Sequence, residues 1–123
     1  MPAFNGNLSN PYTDVRVGES FYLFNNESLT AGENSVVMCR GMVPGASTGQ
    51  TTFQWQTAVA PTCSVILYGG NFPPTAGGPQ NGFVITTFTA QSTTVDDTFG
   101  YAFYWAYVTS YAAGGNATLL AQR

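Results

Sequence analysis

Between Thr51 and Val59 the chain alternates strictly, with Phe53, Trp55 and Val59 on one side and Gln54 and Gln56 on the other. A residue period of 2, with one apolar and one wet face, is the requirement of a half-buried β-strand, and a helix of period 3.6 cannot meet it. The same period runs through most of the chain. Val15, Val17, Phe21 and Leu23 share one face of residues 15–24, with Glu19 the exception. In residues 35–43, Val37, Cys39 and Val43 face one way and Val36, Met38 and Met42 the other. Residues 63–68 form a mostly apolar run of core-strand length, residues 83–90 and 116–121 are shorter strands, and residues 99–111 form the longest. No segment has helical periodicity, and Val, Ile, Thr and aromatics dominate the runs, as strands prefer.

Polar or Gly- and Pro-containing segments separate these runs: residues 25–34, 44–50, 60–62, 69–82, 91–97 and 112–115. The segment 69–82 is predicted to be a long exposed loop, with Phe72, Pro73 and Pro74 at its surface. About seven to eight short strands with turns between them predict an all-β fold, a two-layer antiparallel β-sandwich of jelly-roll or Ig-like type. Its 123 residues suit one core and not two. Residues 1–14 are Asn- and Pro-rich without a repeating apolar pattern, so they are read as an extended N-terminal arm ahead of a single domain, 15–123. Phe4 and Tyr12 are its anchors, and Asn5, Leu8 and Pro11 complete its partner-binding face.

Charge is scarce. Only 7% of residues are charged, the net charge is −3, there is no Lys or His, and the cations are Arg16, Arg40 and Arg123. Binding to a phosphate backbone or an anionic membrane surface needs a basic patch, so neither nucleic acid nor membrane is an expected partner. A surface of Ser, Thr, Asn, Gln and Gly is cheap to desolvate, as befits a chain that lies against other chains. The alternative is a secreted domain with a neutral, glycosylated surface, for which Asn7, Asn26 and Asn116 head N-x-S/T sequons. The first residues have no basic and apolar leader pattern, so either the protein stays where it is made or a leader has been removed, and Met1 favours the first.

Catalytic chemistry has little to work with. Without His, Ser-His-Asp and Cys-His systems are excluded, and without Lys no Schiff base can form. The acids Asp14, Glu19, Glu27, Glu33, Asp96 and Asp97 are scattered and single out no pair. Asp96-Asp97 reads as a solvated turn, with a calcium site the weaker alternative. No zinc spacing exists, and no metal or cofactor is expected. The chain is therefore read as non-enzymatic. Cys39 and Cys63 lie in apolar runs. They are either a disulfide between neighbouring strands or two buried thiols, and the absence of a leader favours the thiols.

In residues 99–111 the odd positions Phe99, Tyr101, Phe103, Trp105, Tyr107 and Tyr111 are large and aromatic. They are predicted to form the core wall, with a subunit contact or a ligand platform as alternatives. Gly100, Ala102 and Ala106, on the other face, would let a second subunit approach closely.

The second half of the chain resembles small β-sandwich proteins of tailed-phage virions. The resemblance spans residues 63–121 and rests on SVILYGGNF, FVITTFTAQST and FGYAFYWAYVTSYAAGGNATLLA in that order. Gly69-Gly70-Asn71 stands where the pattern has a Ser-Asp-Gly type of turn, and no Arg lies near Trp105. The resemblance implies a bacteriophage capsid decoration, or cement, protein. Such a protein is made in the host cytoplasm and sits on the outer capsid surface, often as a homotrimer. It clamps neighbouring copies of the major capsid protein through an arm or loop. The alternative is a carbohydrate- or receptor-binding module of an adhesin or fibre, using Phe72 or Trp55 beside Gln54 and Gln56.

Overall fold

A computed structural model describes residues 15–40, 50–74 and 81–123. Phe4, Asn5, Leu8, Pro11 and Tyr12, read from the sequence as an arm, lie outside them. Eight strands and no helix occur among the described residues: β1 (Ser20–Glu27), β2 (Met38–Cys39), β3 (Thr51–Thr57), β4 (Thr62–Gly70), β5 (Phe83–Phe88), β6 (Ser92–Asp97), β7 (Phe103–Ala112) and β8 (Ala117–Gln122). They form two four-stranded sheets, ordered β1-β8-β3-β6 and β2-β7-β4-β5.

These orders follow from one ribbon. The pairs β1–β8, β2–β7, β3–β6 and β4–β5 are all antiparallel, so the first four strands run against the last four. Rolling that ribbon lays β8 beside β3 and β7 beside β4, again antiparallel. This is the jelly-roll winding of a two-layer sandwich.

The core lies between the sheets. Phe53, Trp55, Ala117, Leu119 and Ala121 point into it from one sheet, and Val65, Leu67, Phe88, Tyr104, Ala106 and Val108 from the other. Trp55 stacks on Phe88 with ring centroids 5.2 Å apart, and Phe53 meets Tyr104 at 5.0 Å, so aromatic pairs join the layers. In β3 the alternation works as its sequence predicts: Phe53 and Trp55 are buried, Gln54 and Gln56 exposed. Val59, beyond the strand, is exposed. In β1, register shifts between Tyr22 and Phe24 and between Phe24 and Glu27 mark bulges. Leu23 and Phe24 are consequently both buried, which simple alternation forbids.

Three strand assignments change. Residues 92–97, read as a polar connection, are β6, because the wet outer side of an edge strand needs no apolar residues. Residues 99–102 precede β7 and do not belong to it. Among the described residues of the second predicted strand, only Met38 and Cys39 form a strand.

The aromatic strand is also turned over relative to expectation. Tyr104, Ala106 and Val108 face the sandwich core, while Phe103 and Trp105 are buried on the opposite side with Cys39, Val37, Tyr68 and Ala102. Gly82, just before β5, closes over that outer side: a Cβ on it would lie 2.6 Å from the Trp105 ring. Both faces of β7 are thus dry over residues 103–106, and the bulk of Tyr104 and Val108 fills the interior around the small Ala106. Ala106 therefore offers no subunit contact. Gly100 and Ala102 sit in the connection ahead of the strand, so the three small residues share no face.

Cys39 and Cys63 are not bonded to each other. Their strands lie in one sheet with β7 between them, roughly 10 Å apart and beyond disulfide reach. They also belong to clusters on opposite sides of that sheet. Cys63 Sγ lies 3.6 Å from the Phe88 carbonyl oxygen, and burial pushes its thiol pKa up. Reducing agent is therefore expected to shift the melting temperature by less than about 1 °C. Iodoacetamide at pH 8 should label Cys63 about a hundredfold more slowly in the folded chain than in urea. A clear drop in melting temperature on reduction would contradict this arrangement.

Candidate interaction surface

The roll gathers several segments at one end. The register places Ser20 beside Gln122, Thr51 beside Asp97, Cys39 beside Phe103 and Gly69 beside Phe83. The finish of β2, the start of β3, the finish of β4, the start of β5 and the β6–β7 connection therefore share that end with the start of β1 and the finish of β8. Val15 N donates to Cys39 O (2.7 Å), Gly18 N to Arg123 O (3.0 Å) and Arg123 N to Glu19 O (3.1 Å), which ties the entering and leaving strands together.

The β6–β7 connection, residues 98–102, is built on a buried carboxylate. Asp97, 5% exposed, accepts hydrogen bonds at Oδ2 from the Tyr104 hydroxyl (2.5 Å) and from Gly100 N (3.3 Å). The Tyr104 oxygen in turn accepts from Tyr101 N (3.1 Å). Gly100 turns the chain with φ +74°, a conformation open to glycine at no steric cost. Burial, and then the bond to Asp97, pushes the Tyr104 pKa well above its ordinary value. The neutral phenol is the form the fold holds.

This clamp presents a row of rings. Tyr101 stands edge-on to Tyr104 at 6.0 Å and is flanked by Phe83 and Phe99, each 5.7 Å away, at interplanar angles of 20° and 29°. Phe83 is 61% exposed and Phe99 82%. Phe72 and Val84 are exposed at the same end, with Val17 beside the entering strand. Among the described residues, every strongly exposed phenylalanine is here. Gly69 makes room for the row, since a Cβ there would meet the Tyr101 ring at 2.3 Å. The predicted loop surface holds for Phe72, whereas Pro73 and Pro74 are half-buried, with Asn81 Nδ2 donating to Pro73 O (3.2 Å).

All three cations also lie at this end. Arg16 is exposed, Arg40 is buried, and Arg123 Nη1 donates to the carbonyls of Val15 and Arg40. Burial, and then the charge of Arg40, lowers the Arg123 pKa.

The described acids each serve a local bond. Glu19 accepts from Arg16 N, Glu27 from Asn25 N, Glu33 from Thr30 N and Asp96 from the Thr52 hydroxyl. Asp96 and Asp97 do not form the solvated turn suggested by their sequence, because Asp97 points inward to Tyr104. Among the described residues no three His, Cys, Asp or Glu side chains gather as a metal site would need. Both tryptophans are buried, which removes Trp55 and Trp105 as an exposed sugar platform. At the opposite end a polar recess of about 200 Å³ is lined by Asn26, Gln56, Thr57, Ala58, Asn116 and Thr118. Two sequon asparagines meet there: Asn116 Nδ2 donates to Asn26 O (3.2 Å).

Sequence reasoning missed the Asp97–Tyr104 pair and the pairing of Phe83 with Phe99. The Asp-x-x-Gly spacing of residues 97–100, typical of an Asx-type turn, was the available signal for the first. No local signal existed for the second, since the two rings come from separate connections. Comparison of the chain with protein-family models, with curated proteins and with solved structures gives no match.

Proposed function

We propose that this chain is a virion structural protein, a capsid decoration protein. In this reading it docks on the outer shell through the loop end of the roll and clamps neighbouring copies of the major capsid protein, as a homotrimer. The observation that carries the reading is the exposed row Phe83–Tyr101–Phe99, held in place by the buried Asp97–Tyr104 clamp. Exposed apolar patches on a folded domain mark contact surfaces, and rigid aromatics make the strongest anchors. Each phenylalanine that a partner covers contributes roughly 2 kcal/mol. The row also lies at the end where the chain enters β1, so an arm formed by residues 1–14 would leave from the same side.

Two further features support it. No charged residue lies between Arg40 and Asp96, so β3, β4 and β5 can be desolvated without stripping water from a charge. Jelly rolls also recur in viral shell proteins, and binding only to an assembled shell stabilises that shell by mass action. The polar recess at the opposite end, with its amide and hydroxyl lining, favours a second reading, a carbohydrate-binding module.

The test uses shells assembled without this chain. Phe83→Ser with Phe99→Ser is expected to weaken co-sedimentation with shells on the order of a hundredfold or more. Its melting temperature should stay within about 2 °C of wild type, because both side chains are already wet. Deleting residues 2–12 should abolish binding while the roll stays folded. Undiminished binding by the double variant would sink the surface assignment, and glycan binding lost on Asn116→Ala would favour the second reading.

A further inference from the structure

Arg40 is only 7% exposed, and among the described residues its Nε, Nη1 and Nη2 have no hydrogen-bond acceptor. A guanidinium cannot shed its charge, and it carries five donors in a fixed fork. A buried charge without an acceptor is among the most destabilising features a fold can hold. A like charge is near as well: Arg123 Nη1 donates to the Arg40 backbone carbonyl at 3.2 Å, and the charge of Arg40 helps to lower the Arg123 pKa.

The chain's own acids do not supply the missing acceptor. Five of the six are described, and each makes the local bond given above without reaching the Arg40 nitrogens. Asp97, the buried one, accepts from Tyr104 and Gly100. The sixth is Asp14, which precedes Val15 in sequence.

We propose that Arg40, with Arg123 beside it, is the receptor for one carboxylate side chain of a neighbouring protein chain. One guanidinium fork matches one planar carboxylate through two parallel N–H···O bonds. A doubly charged phosphate is disfavoured at an end that also holds Asp96, Asp97 and Glu19. Arginine and aromatic anchors together are the usual composition of an interface centre, and the ring row shares this end. The source of the carboxylate rests on the assembly reading above, but the chemistry of the site does not. The three nitrogens are out of solvent contact, so entry requires this end of the roll to yield. A small free carboxylate is the probe that needs least room.

The full chain is melted in sodium acetate and in sodium chloride at equal ionic strength. At ten times its dissociation constant, acetate is expected to raise the wild-type melting temperature by about 5 °C. Asp14→Asn should keep that response. Arg40→Met should lose it, and should melt higher than wild type in chloride, because an unpaired charge has been replaced by an apolar chain of similar reach. Should Arg40→Met fail to fold, Arg40→Lys, which keeps the charge without the fork, should retain less than about half the shift. An equal acetate response in Arg40→Met, or no response in wild type, overturns the proposal. In the second case, a lower melting temperature for Asp14→Asn would assign the acceptor to this chain. Shells take no part in this measurement, so its failure and that of the decoration reading are told apart.

Discussion

Trp55→Ala is expected to cost about 4 kcal/mol, the range of large aromatic truncations in a packed core, and to lower the melting temperature by about 15 °C. Trp55 is fully buried at the centre of β3 and bridges the two layers. Its ring lies on Phe88 of the other sheet at 5.2 Å and 11°, and its Nε1 donates to Ala90 O at 2.9 Å. Truncation opens a cavity between the sheets, breaks the stack and leaves the Ala90 carbonyl without its donor. Trp55→Phe keeps a ring and loses the N–H, so about 1–2 kcal/mol should separate it from wild type. Urea titration of both variants checks the pair. A cost below about 1 kcal/mol for the alanine variant would mean that this ring does not join the sheets. The contrast with Phe83 and Phe99, whose removal should barely move stability, separates rings that hold the fold from rings exposed on its surface.

Tyr104→Phe removes one oxygen and is expected to cost about 2–3 kcal/mol, because a buried carboxylate loses its hydroxyl donor. The same hydroxyl accepts from Tyr101 N, so the connection carrying Tyr101 and Phe99 should loosen, and amide exchange at residues 98–102 should speed up. The variant should also lose part of the alkaline sensitivity of the wild type. The folded-state pKa of Tyr104 is raised, first by burial and then by its bond to Asp97. The fold therefore holds the proton more tightly than the unfolded chain does. The associated stability is fully present below the unfolded value near 10 and is lost as pH rises above it, by up to about 1.4 kcal/mol per pH unit for one proton. Burial raises Tyr68 and Tyr111 in the same direction, and both remain in the variant. Denaturant melts between pH 9 and pH 11.5 should show a shallower decline for Tyr104→Phe. Parallel declines would show that Tyr104 does not titrate against the fold.

The exposed rings of Phe83 and Phe99 and the buried guanidinium of Arg40 lie at one end of the roll. Geometry connects them: Arg40 N donates to Ala102 O in the connection that carries Tyr101 and Phe99. A displacement of this connection therefore acts on both.

The amino-acid sequence alone determined that this chain is built of strands, because period-2 alternation and the absence of any 3.6-residue pattern are properties of neighbouring residues. It also located the connections between β3 and β4 and between β7 and β8, though not the one it read at 91–97, and set the inward face of β3, where Gln54 and Gln56 leave only one side dry. Only the tertiary structure decided which side of β7 meets the other sheet. Both rows of that strand are apolar, and a period of 2 carries no sign, so Tyr104 and Val108 could be distinguished from Phe103 and Trp105 only by what packs on each. The Asp97–Tyr104 bond, the stacking of Phe83 with Tyr101 and Phe99, and the burial of Arg40 likewise appear only once the ribbon is rolled. Each joins residues, or a residue and its cover, that the rolled sheets bring together, and local composition holds no record of such long-range juxtaposition.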